Sequence, residues 1–69
     1  MQPSQPEHQL LYRPEGAAEV LDVGRSTVFE LMADGQLESV RIGRSRRIPR
    51  QALLDYVERL RASDAAPAA

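Results

Sequence analysis

Cysteine is absent from the 69 residues, which excludes a disulfide-stapled scaffold and any thiolate metal site, and fits a reducing compartment. Long apolar runs are absent as well, and the amino-terminal stretch has neither the basic nor the apolar region of a secretory signal. A soluble, cytoplasmic protein without a membrane partner is the expectation. Histidine occurs once, as His8 in a polar leader, so no histidine remains to join a metal cluster or a nucleophile–base pair held by a core. The carboxylates are scattered, with no close pair suited to general acid–base work, and no glycine-rich phosphate loop occurs. Together these absences argue against an enzyme, a bound metal and a cofactor.

What is there is short. A chain of 69 residues leaves room for one small domain, so a single module is expected to carry the activity. Residues 1–9 (MQPSQPEHQ) and 62–69 (ASDAAPAA) are poor in core-forming side chains and read as flexible, solvated tails. The foldable part is residues 10–61. A domain of that size, with no disulfide, buries a limited apolar surface and should have modest stability.

The formal net charge is −1, which by itself argues against a polyanionic partner. The distribution reverses that argument. Residues 1–38 hold seven acidic side chains against Arg13 and Arg25, a balance of −5. Residues 39–50 hold five arginines and no acid, a balance of +5, and the remainder contributes −1. Charge sorted into a basic stripe of this kind is the footprint of a DNA-binding face.

The pattern of residues gives three helices and a hairpin. Arg13-Pro14-Glu15 opens a first helix running to Leu21, with proline suited to the first turn and Ala17, Ala18, Val20 and Leu21 on its packing face. Asp22-Val23-Gly24 interrupts it. A second helix spans Arg25 to Asp34, its buried stripe formed by Val28, Leu31 and Met32, and Gly35 ends it as a left-handed cap. Ser39-Val40-Arg41-Ile42 alternates as a half-buried strand, Gly43-Arg44-Ser45 turns, and Arg46-Arg47-Ile48 returns to Pro49. In this hairpin Val40, Ile42 and Ile48 should face the core, with Arg41, Arg44 and Arg47 projecting outward. A last helix covers Arg50 to Arg61 and carries Leu53, Val57 and Leu60 as its core stripe, flanked by Leu54 and Tyr56.

The two short helices with a three-residue break have the spacing of a helix-turn-helix. Ala18 is the small residue at the helix crossing, Asp22 occupies the turn, and Val28 anchors the second helix. Glycine is usual at the turn position because the backbone there is left-handed, and aspartate is among the few other residues that tolerate it. From Arg13 to Leu60 the chain resembles the excisionase-type DNA-binding module, a minimal relative of the MerR winged-helix domain. The resemblance is carried by Ser26-Thr27-Val28-Phe29, Arg41-Ile42-Gly43-Arg44 and Arg47-Ile48-Pro49-Arg50. Phe29 stands where tyrosine is common in that family, and Arg46 where an aliphatic or aromatic residue is frequent. The implied fold is mainly α with a small β-hairpin: a helix-turn-helix, a two-stranded wing and a carboxy-terminal helix.

The resemblance also implies roles. The second helix would enter the major groove of double-stranded DNA, presenting Arg25, Ser26, Thr27, Phe29 and Glu30. Arg25 would read guanine or grip phosphate; Ser26 and Thr27 would bond phosphate or help cap the helix; Glu30 would accept from a cytosine amino group or stay a solvated surface residue. Arg41, Arg44, Arg46, Arg47 and Arg50 would follow the phosphate backbone or enter a narrow minor groove, with Arg44 at the tip reaching furthest. With the sequence running to Ala69, no ligand sensor of the MerR kind is expected. The implied partners are DNA, an integrase and further copies of the chain arranged head to tail on DNA, and the implied location is the nucleoid. Two rivals remain: a small transcriptional regulator of the same fold, and an adaptor whose arginine hairpin binds an acidic protein surface.

Overall fold

The computed structural model describes residues 9–65. Its elements run β1 (Leu11–Tyr12), α1 (Pro14–Leu21), α2 (Arg25–Asp34), β2 (Val40–Ile42), β3 (Ser45–Pro49) and α3 (Arg50–Ala65). Three helices and a small antiparallel sheet make a winged helix-turn-helix, with a three-stranded sheet in place of the expected two-stranded wing. Among the described residues no helix is long and apolar enough to cross a membrane.

Both helices of the motif end by the same device. Asp22 adopts φ 61° and ψ 47°, and the Val23 amide donates back to the Ala18 carbonyl at 3.0 Å. At the end of α2, Gly35 has φ 81°, and the amides of Gln36 and Leu37 donate to the Leu31 carbonyl at 3.0 and 3.1 Å. The left-handed residue reverses the chain while the backward bonds satisfy carbonyls that the helix leaves unpaired. The second reversal carries Leu37 into the core, where it is 1% exposed. Because a β-branched side chain is strained at positive φ, Asp22→Val should lower stability by about 1–2 kcal/mol, while Asp22→Gly should stay within about 1 kcal/mol of the parent, as read by thermal melts.

Ala17 and Ala18 of α1 pack on Val28 and Leu31 of α2, and the small side chains let the helices approach closely. Ile48, Ala52, Leu53 and Tyr12 complete the buried cluster from the sheet and α3. Leu21 and Met32 pack against its edge as expected, but Val20 is 55% exposed.

The sheet order is β1-β3-β2, both pairings antiparallel. β1 was not foreseen, being only two residues long. It pairs Leu11 with Pro49 and Tyr12 with Ile48. Pro49 has no amide proton, and the ladder continues past it because the Arg50 amide donates to the Leu10 carbonyl at 2.8 Å.

The hairpin register overturns the expected facing. Val40 pairs with Arg47, Arg41 with Arg46, and Ile42 with Ser45, so the turn is the two residues Gly43-Arg44 and not the three expected. Gly43 has φ 62°, the positive value that a type II′ hairpin turn requires at its first central position. One residue fewer in the turn moves the strands past each other by one and exchanges faces. Ile48 therefore shares a face with Arg46 and Arg41, while Val40 and Ile42 lie on the other with Arg47. Ile48 is fully buried and Ile42 is 54% exposed; Val40 and Arg47 are half-buried.

The expected core stripe of α3 is only partly covered. Leu53 is buried and Tyr56 half-buried, but Val57 and Leu60 are exposed, because the side of the helix turned to the body is that of Ala52, Leu53 and Tyr56, from which Arg59 still donates to the Gln36 carbonyl. Residues 62–65 continue α3, where a flexible tail was expected to begin. Residues 1–8, which include His8, and residues 66–69 lie outside the described residues.

Candidate nucleic-acid interface

The first turn of α2 is preceded by Gly24 in extended conformation, with no side-chain cap. Ser26 and Thr27 follow inside the helix, so neither is its cap residue. Both are exposed, as are Arg25, Phe29 and Glu30. Val28 and Leu31 pin the opposite face, so the five expected recognition residues share the solvent side of a helix held from behind.

Arg25 is the most constrained of them. Its Nη1 lies 3.7 Å from Glu15 Oε2 on α1, and its guanidinium carbon sits 5.9 Å from the centre of the Phe29 ring, one turn along α2. Phe29 is 45% exposed, so an aromatic face is held at the surface with a cation over it.

The wing brings two of its arginines, Arg46 and Arg47, to the groove that Phe29 of that helix lines. Arg41 and Arg46 are directly opposite each other on paired strands. Arg46 Nη1 donates to Ser39 Oγ at 3.2 Å, and Arg47 Nη1 donates back to the Arg46 carbonyl at 3.0 Å. Arg44 stands exposed in the turn, and Arg50 opens α3 with its side chain exposed. Between wing and helices runs a groove of about 460 Å³ lined by Arg13, Pro14, Glu15, Phe29, Ser45, Arg46 and Arg47. Of the expected site residues, Phe29, Arg46 and Arg47 meet there, and Arg25 joins them through its stack on Phe29. Arg41, Arg44 and Arg50 do not line the groove.

Arg13 and Glu15 were read from the sequence only as residues that start α1. Their place in the groove depends on how α1 meets the wing, which no local spacing reveals. The one available signal was that Arg13 lies just outside a helix start, where a cation has no helical role. Among the described residues, no group of three or more histidine, cysteine or carboxylate side chains is arranged to hold a metal ion.

The fold, with its exposed basic wing beside a helix pinned from behind, defines a winged helix-turn-helix protein. Residues 11–61 match the family described as a helix-turn-helix domain. A protein named probable excisionase from Saccharopolyspora erythraea is 49% identical over 59 residues, covering 86% of this chain and 60% of the relative. An excisionase from Streptomyces ambofaciens is 40% identical over 50 residues, covering 72% of this chain and 79% of the relative. The chain belongs to the helix-turn-helix family and, with these relatives, to its excisionase-type members. It spans about three fifths of the length of the Saccharopolyspora protein. No solved structure matches it.

Proposed function

We propose that this chain binds double-stranded DNA as an excisionase, an architectural factor that bends its sites and steers an integrase toward excision of a phage or integrative element. In this reading α2 lies in the major groove, where Arg25, Ser26, Thr27, Phe29 and Glu30 face base edges and the flanking backbone. Arg41, Arg44, Arg46, Arg47 and Arg50 follow phosphates or enter the adjacent minor groove. Its work is recognition and not catalysis, carried out in the cytoplasm on the nucleoid, with further copies bound to neighbouring sites.

The strongest support is the pairing inside the hairpin. Arg41 directly faces Arg46 across the strands, a like-charge pair that opposes folding by a few tenths of a kcal/mol or more. Among the described residues no carboxylate pairs with either guanidinium, Arg46 having only the neutral Ser39 hydroxyl as its acceptor, whereas a polyanion lying across the wing would offset the repulsion. The names of the two relatives supply the excisionase part.

The test is to retain fragmented genomic DNA of the source organism on the purified protein, sequence what is held, and titrate the best fragment against salt. With four phosphate contacts the log–log salt slope should be about −3.6. Fragments clustered as repeats beside an integrase gene or attachment site would support the excisionase reading. Enrichment at scattered promoters would replace it with a transcriptional regulator. No enrichment, with a slope near zero, would sink DNA binding and turn the arginine wing toward an acidic protein partner.

A further inference from the structure

Arginine on a recognition helix can do two different things. It can neutralise any phosphate, which adds affinity without sequence information, or it can donate two parallel bonds to a guanine edge, which discriminates. The surroundings of Arg25 distinguish between these. Its guanidinium has neighbours on two elements: Nη1 lies 3.7 Å from Glu15 Oε2 on α1, and the guanidinium carbon is 5.9 Å from the Phe29 ring centre on α2. The ion pair is an exposed one, with the side chains 64% and 57% accessible, so it adds little to stability. Among the described residues Glu15 is also the only acid lining a groove that otherwise carries Arg13, Arg46 and Arg47. A carboxylate there weakens the attraction of the groove for phosphate, which makes its position costly for bulk affinity.

We infer that Glu15 is a specificity-determining positioning residue, which holds Arg25 for a base edge and keeps it off the phosphate backbone. This rests on the DNA-binding reading above and goes beyond it by assigning Arg25 to discrimination. The carboxylate lies at ion-pair distance from one terminal nitrogen, biasing the direction of the fork while leaving its N–H groups able to donate outward. The Phe29 ring limits the rotamers that a free arginine would sample, so less freedom is lost when a base is met. Against a random sequence the clamp has no compensating base contact, and the negative charge of Glu15 remains among the phosphates.

The experiment compares E15Q with E19Q. Both remove one negative charge from the same helix, and Glu19 is exposed but does not line the groove. The preferred duplex is first selected from a random pool with the parent protein. Affinities for that duplex and for an unrelated one are then measured across a salt series, with thermal melts confirming that both variants fold. E15Q should bind the unrelated duplex several-fold more tightly, with a salt slope steeper by about 0.9. Its ratio of selected to unrelated affinity should fall about five- to tenfold. E19Q should shift both duplexes by the same small factor and leave the ratio unchanged. R25K, which keeps the charge but loses the fork, should lower the ratio in the parent and have little further effect combined with E15Q. If E15Q matches E19Q in ratio and slope, the inference is overturned while DNA binding stands. A parent protein that binds neither duplex in a salt-dependent way overturns both.

Discussion

Replacing Arg44, Arg46 and Arg47 together with alanine should weaken binding to duplex DNA by on the order of a thousandfold at 0.1 M salt and reduce the salt slope by about 2.7. Each lost phosphate contact removes about 0.9 from the slope, which corresponds to roughly tenfold in affinity at that concentration. Stability should move little or in the opposite direction. All three side chains avoid the core, with Arg44 and Arg46 exposed and Arg47 half-buried, and removing Arg46 relieves its cross-strand confrontation with Arg41. Fluorescence anisotropy with a labelled duplex, paired with a thermal melt, reads both quantities. A variant that still binds DNA as the parent does, but loses a protein partner, would identify the wing as an adaptor surface.

The second large effect concerns the two isoleucines of the hairpin. Ile48→Ala should destabilise the domain by about 2–5 kcal/mol, since it opens a cavity at a position with no solvent exposure. A domain of about 55 residues without a disulfide holds only a few kcal/mol in total, so much of the population should be unfolded at 37 °C. Ile42→Ala, at a residue 54% exposed, should change stability by no more than about 0.5 kcal/mol. Circular dichroism melts of the two variants suffice. Equal losses would mean that both side chains share a core face, which is the facing a three-residue turn would produce.

That contrast shows where local pattern stops being informative. The limits of α1 and α2 were legible because their ends carry chemistry: Pro14 suits a first turn, and Asp22 and Gly35 tolerate the left-handed backbone that ends each helix. Hydrophobic alternation in the hairpin was legible too, but which face it addresses depends on turn length. A single residue separates the expected turn from Gly43-Arg44. In α3 the periodic residues Leu53, Val57 and Leu60 mark one side of a helix. Periodicity does not say which side the body covers, and it covers the neighbouring side, that of Ala52, Tyr56 and Arg59.

For the candidate interface the same division holds. The charge sorting pointed to the wing arginines, which lie close together in the chain, and the family resemblance implied Arg25 and Phe29 on the second helix. Arg13 and Glu15 enter the groove only through the packing of α1 against β3 and the wing. Tyr12 was likewise invisible as a core residue, since two residues of strand have no measurable alternation.

The short strand β1 has a further consequence for timing. The helix pair and the hairpin each close through partners a few residues apart in the chain, whereas Leu11 finds Pro49 and Tyr12 finds Ile48 across nearly the whole domain. Closing a loop of that length is entropically the slowest local event available to this chain. On a ribosome it cannot begin until Pro49 has emerged. The fixed place of the wing beside the helix that carries Arg25 and Phe29 thus depends on one long-range closure, in which Tyr12 and Ile48 are buried in the same cluster.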